Sequence, residues 1–178
     1  MGHKHTRSEI LDGALAAAHD DGLSQLTFGR LAKRLGISDR VIVYYFPSKI
    51  DLINEVIIAM GSELQETLAQ AFTEPAADHL ELVRSAWPLV TTPEADSVFA
   101  LFFEANGLAV SGREPYRTVV PTLVELWIVW AAEFIRGDPD EQRIEAEAAI
   151  ALIDGLLLLR QIAGPESADR AARRIGIA

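Results

Sequence analysis

A chain of 178 residues with 49% hydrophobic and 24% charged side chains has enough apolar surface for a substantial core and too much for disorder. It has no cysteine, which removes disulfides, thiolate metal sites and cysteine nucleophiles, and no apolar run approaches a membrane span. A formal charge of −10, taken whole, argues against a nucleic-acid partner.

In chain order the punctuation is helical. Thr6-x-x-Glu9 is a capping box ahead of Ile10, Ala14, Ala17 and Ala18, and the run stops at Asp21-Gly22. Thr27 stands where it caps a short helix ending before Gly36, and Ser38 where it caps the next, closed by Phe46-Pro47. Ser48-x-x-Asp51 starts a long helix with Leu52, Val56, Met60, Leu64 and Leu68 on one face. Pro75, Thr91-Thr92-Pro93, Gly112 and Gly137 divide the rest, with helices expected over 94–109 and 117–136 and with Pro121 marking a kink or a late start. Asp138-Pro139-Asp140-Glu141 opens a helix over 141–163, Gly164-Pro165 ends it, and a short helix is expected over 167–176. The chain reads as all-α, with about nine helices; Val41-Ile42-Val43 is β-prone but too tightly bracketed by Ser38 and Pro47 to be a strand.

Charge and chemistry concentrate near the N-terminus. Residues 1–50 hold seven basic and five acidic side chains, including all three lysines, whereas 51–178 hold nine arginines against 21 acids. A weakly basic head on an acidic body suits a polyanion-binding segment, although uneven surface charge alone reads the same way. Ala32, Gly36 and Ile42 have the small–glycine–apolar spacing of a helix-turn-helix: a small residue where the helices meet, a glycine free to take positive φ, and an apolar anchor. Leu31, Leu35 and Ile37 complete the buried side. Ser38, Asp39 and Arg40 then occupy the first turn of the second helix, which reaches base edges in the major groove. Arg40 has the fork that reads guanine N7 and O6. Tyr44 and Tyr45 offer hydroxyls to phosphate, Lys49 sits at a helix N-terminus that attracts anions, and Arg30, Lys33 and Arg34 add charge. His3-Lys4-His5 has no acidic partner, so no metal site is expected there, and Lys4 or Arg7 is a candidate arm toward DNA.

Residues 6 to about 58 resemble the N-terminal domain of the TetR family of helix-turn-helix transcriptional regulators. Tyr44, Phe46, Pro47, Ser48, Lys49 and Leu52 match the family's aromatic–Tyr–x–Phe–Pro–Ser–Lys pattern in residue and spacing. Val43 departs from a usual aromatic, Tyr45 from a common histidine, and Arg40 from a common small residue. The resemblance implies a helix-turn-helix DNA-binding domain over 1–47 and a helical regulatory domain over 48–178. It implies contacts to double-stranded operator DNA by Thr27, Arg30, Ser38, Asp39, Arg40, Val41, Tyr44, Tyr45 and Lys49. It further implies a cytoplasmic homodimer, a repressor released by a small-molecule effector, with neither cofactor nor membrane.

The larger part of the chain has its own pattern. Phe99, Phe102, Phe103 and Asn106 share one helix face, Leu123, Trp127, Trp130 and Phe134 another, and Trp87 comes from a third helix. An effector site for an apolar or cationic molecule is expected among Trp87, Phe99, Phe103, Asn106, Trp127 and Trp130; a plain aromatic core is the alternative. Asn106, Asp154 and Gln161 are polar groups on apolar faces, and Asp154 lies equally well at a dimer seam. Ala148, Ala151, Gly155 and Leu158 are placed at the dimer interface, where small residues allow close approach. An enzyme is not expected: there is no HExxH, no Glu-x-x-His pair and no glycine-rich phosphate loop, and only His79 of the four histidines lies in the large domain. A DNA-binding activator or architectural protein without a ligand stays open.

Overall fold

The structure is a computed structural model that describes residues 5–178, apart from the Glu63 side chain. Among the described residues it is all-α: α1 (Arg7–Asp21), a 3₁₀ turn (Leu23–Gln25), α2 (Phe28–Leu35), α3 (Asp39–Tyr45), α4 (Lys49–Ala69), α5 (His79–Val90), α6 (Pro93–Val110), α7 (Tyr116–Ala132), α8 (Pro139–Ala163) and α9 (Pro165–Arg174). None of these helices is long and apolar enough to cross a membrane. Packing groups residues up to Ser62 with Leu101–Pro121, and Glu63–Ala100 with Thr122–Ala178. This division by contact differs from the functional boundary expected at 47/48.

In the first unit the caps are local. Thr6 Oγ1 accepts from the Glu9 amide at 3.2 Å while Glu9 Oε2 accepts from the Thr6 amide at 2.8 Å, so two of the orphan donors at the start of α1 are satisfied reciprocally. Thr27 Oγ1 accepts from the Arg30 amide at the head of α2. Gly36 ends α2 in the left-handed region at φ 66°, ψ 30°, and the Ile37 amide turns back to Ala32 O at 3.0 Å. Ser48 and Asp51 cap α4 reciprocally, at 2.9 Å and 3.2 Å. Ser38 precedes α3, but its hydroxyl makes no capping bond. Leu31, Ala32, Ile42 and Phe46 are buried beside Ile10 and Ala14 of α1, and Leu35 and Ile37 only partly so.

The second unit is held by bonds between distant residues. Arg160 of α8 grips Asp96 of α6 through two bonds, at 2.6 and 2.9 Å, and reaches Thr91 O at 2.9 Å. Gln161 Nε2 adds a bond to Asp96 O. Glu145 of α8 accepts from both the backbone amide and Nδ1 of His79 at the head of α5, and these bonds hold its carboxyl below the usual range, the backbone amide foremost. Arg143 bridges to Glu125 of α7. α7 stops at Ala132 and not at 136, because the backbone at Phe134 and Arg136 is taken up by Ala76 in a short bridge, at 2.8 and 2.9 Å. Pro121 lies inside α7 on an exposed position.

Candidate functional site

The helix-turn-helix of the first unit presents α3 with its apolar side inward and its chemistry outward. Ile42 has no exposure at all, while Ser38, Asp39 and Arg40 are exposed and Val41 is half-buried. Arg40, Lys33 and Lys49 have no partner among the described residues. Arg30 donates to Gln25 Oε1 at 2.6 Å, and Thr27 is occupied in capping α2. Asp39 keeps a carboxylate oxygen beside Gly29 of α2, 3.9 Å from where a Cβ there would stand. Tyr44 is 78% exposed and meets Tyr45 edge to face at 4.9 Å. The result is a turn of exposed hydrogen-bonding groups at the tip of α3, flanked by unpaired cations on α2 and α4, as reading a groove while neutralising phosphate requires.

Three expectations on this face are revised. Tyr45 donates its hydroxyl hydrogen to the His5 carbonyl at 3.1 Å, so a phosphate contact would have to replace that bond. Arg7 pairs with Glu55 at 2.7 Å and lies 5.0 Å over the Phe46 ring, which ties it to the core and not to an arm; Lys4 lies outside the described residues. Arg34 is paired with Asp20 at 2.5 Å.

Residues 10–56 match the family model for bacterial regulatory proteins, tetR family. The helix-turn-helix stretch is thus of the TetR type. The chain is 29% identical over 175 residues to the HTH-type transcriptional regulator BetI of Cronobacter sakazakii, across 89% of the chain and 80% of the relative. It is similar in fold to the crystal structure of a TetR transcriptional regulator from Legionella pneumophila (TM-score 0.64, 24% identity, 98% and 97% of the two chains). It is likewise similar in fold to the multidrug binding protein EbrR complexed with imidazole (TM-score 0.69, 22% identity, 99% and 92%). A second EbrR structure is complexed with proflavin. These relatives are named as transcriptional regulators and not as enzymes.

The six residues expected to line an effector site fall in both packing units: Trp87, Phe99, Trp127 and Trp130 in the second, Phe103 and Asn106 in the first. Trp87 and Phe99 are buried, and the other four are half-buried. Within the second unit Trp127 and Trp130 meet at 5.3 Å, and Trp130 meets Phe134 at 5.0 Å and Phe72 at 5.9 Å. Phe72 was missed because it follows α4 in a turn, where no periodicity marks it. A groove of about 270 Å³ between α7 and α8 is lined by Ile128, Val129, Ala132 and Arg143 among others, and by none of the six. Asp154 of α8 has no partner among the described residues, and burial pushes its carboxyl up to about 6. Of the dimer candidates on α8, Ala151, Gly155 and Leu158 are exposed and Ala148 is half-buried. Ile144 and Ile162, at 64% and 78% exposure, extend the same stripe and were not anticipated.

Proposed function

We propose that this chain is a TetR-family regulator, a cytoplasmic, dimeric repressor that binds palindromic operator DNA and is released by a small apolar or cationic effector. The observation that carries the reading is the exposed first turn of α3. Ser38, Asp39 and Arg40 are solvent-facing while Ile42, two to four residues on, is wholly buried. Arg40 reads bases, Thr27, Arg30, Val41, Tyr44, Tyr45 and Lys49 complete the contact, and the working division is 1–47 for DNA and 48–178 for regulation. The apolar stripe Ile144–Ala148–Ala151–Gly155–Leu158–Ile162 is the dimer seam: it has the spacing of one helix face, and a Cβ at Gly155 would meet nothing within 4 Å in the protomer. Of the six residues expected to hold an effector, Trp87, Phe99, Trp127 and Trp130, all of the second unit, supply the site. The effector class draws support from the aromatic rings and the unpartnered Asp154, and from the complexes of EbrR with proflavin and imidazole.

The test is selection of genomic fragments on the purified chain, then anisotropy with the selected duplex in rising salt. An inverted repeat, bound by two copies and with an affinity that falls steeply with salt, is expected. Failure to enrich any sequence would overturn the reading. Compounds that quench tryptophan fluorescence and free the duplex would identify the effector class; a chain that binds its operator and is released by none of them is a regulator without a ligand.

A further inference from the structure

The start of the 3₁₀ turn that joins α1 to α2 has no local cap. Leu23 and Ser24 carry orphan amides, and the residue before them, Gly22, has no side chain to offer. Both amides are satisfied from 80 residues away by one carboxylate: Leu23 N–H donates to Glu104 Oε2 at 2.8 Å and Ser24 N–H to Oε1 at 2.9 Å. The Leu23 carbonyl, which already accepts from the Leu26 amide at 3.1 Å, takes a second bond from the same distant stretch, from Tyr116 Oη at 2.7 Å. Leu23 and Tyr116 are buried, with no and 2% exposure. Glycine at 22 serves this arrangement twice. Its backbone stands at φ 87°, ψ 156°, which other residues resist, and a Cβ there would come within 3.1 Å of Glu104 Oε2. Burial, with the Glu104 charge adding to it, holds the Tyr116 phenol near 12, so it stays a donor.

A serine or aspartate at the cap would have satisfied the same amides locally. A cap supplied by Glu104 instead makes the α1–α2 connection depend on where the 101–121 segment lies. The connection leads straight to the DNA-facing side: Gln25, the last residue of the turn, holds Arg30 through its side chain, and Thr27 caps α2. We propose that Glu104 and Tyr116 are positioning residues for DNA binding, a clamp that fixes the helix-turn-helix through the Leu23–Ser24 backbone; this rests on the DNA-binding reading above.

The test uses the full chain with Glu104→Gln and Tyr116→Phe, the operator duplex selected by the parent, and amide hydrogen exchange. Glutamine keeps the shape of Glu104 but turns one acceptor into a donor that faces another donor. Well below the melting temperature, Glu104→Gln is expected to speed exchange at Leu23 and Ser24 and to weaken operator binding about ten-fold or more, with the tryptophan-detected melt unchanged. Tyr116→Phe, which removes one hydroxyl, is expected to act in the same direction, and the two together to be less than additive. If Glu104→Gln does not fold, Tyr116→Phe carries the test. Faster exchange with operator affinity within two-fold of the parent makes the clamp merely structural and overturns the proposal, as does unchanged exchange. A parent that binds no duplex sinks the DNA-binding reading and this proposal with it, whereas a binding parent with unaffected variants sinks the proposal alone.

Discussion

The helix-turn-helix stretch and the second packing unit solve the same problem, satisfying helix ends and burying apolar faces, by opposite means. Along residues 6–51 the α-helix caps span three residues, Thr6 with Glu9, Thr27 with Arg30 and Ser48 with Asp51, and the 3₁₀ turn at Leu23–Ser24, capped by Glu104, is the exception. In the second unit the decisive bonds span 64 to 69 residues: Arg160 to Asp96, Arg160 to Thr91, His79 to Glu145. Apart from that 3₁₀ turn, the helices of the face proposed to meet DNA start on short, local rules, whereas helices joined by long-range pairs have more arrangements open to them, as switching requires.

The sharpest way to break this comparison is Ile42→Ala. Removing a wholly buried anchor should cost about 3 kcal/mol, and the loss should be confined to the first unit. All three tryptophans lie in the second unit, so circular dichroism should melt earlier in this variant than tryptophan fluorescence does. Coincident transitions would mean that the two regions fold as one and that the contrast has no thermodynamic content. Next is Arg160→Met, which leaves Asp96 and the Thr91 carbonyl without their partner. It should lower stability by about 2 kcal/mol and shift the tryptophan transition first, leaving operator binding by the folded molecule intact.

Asp154 sharpens the comparison from the other side. Its folded carboxyl titrates near 6 because of burial, above the value of about 4 of an unfolded chain. The folded state therefore binds this proton more tightly, and the stability so contributed is complete below pH 4 and lost between about pH 4 and 6. Asp154→Asn should gain on the order of 1–2 kcal/mol at pH 8 and almost nothing at pH 4, as read from urea midpoints. An equal gain at both would show that charge burial is not the cause. The smallest effect expected is that of Thr27→Ala, about 0.5–1 kcal/mol for a single exposed cap. Rapid exchange at the Arg30 amide is its signature.

This contrast in range also sets how much was legible in the sequence. Gly36, Thr6, Thr27, Ser48 and Ile42 could be placed from neighbours a few residues away, because a cap, a left-handed turn and a helix face are local geometry. Glu104 carries no such local signal, since nothing near it in sequence announces two amides 80 residues upstream. The end of α7 was misjudged for the same reason: Ala76, which captures the backbone of 134–136, lies some 60 residues away. Likewise the Tyr45 hydroxyl and the Arg7 guanidinium belong to His5 and Glu55, partners that no periodicity suggests. Exposure on the α8 stripe, by contrast, was partly readable, since small residues at helical spacing mark a face even when its occupant is unseen.

The unequal charge of head and body bears on how the molecule meets DNA in time, apart from how tightly it stays. At about 10 mM salt, charges are felt over roughly 30 Å, and a duplex meets a particle of net charge −10. At about 150 mM the range falls to roughly 8 Å, and the duplex senses only the surface turned toward it. Collisions that lead with the acidic body are then turned away, and those that lead with Arg40, Lys33 and Lys49 are drawn in. Modest salt should thus quicken the encounter before higher salt slows it, and approach in the wrong orientation is rejected before any base is read.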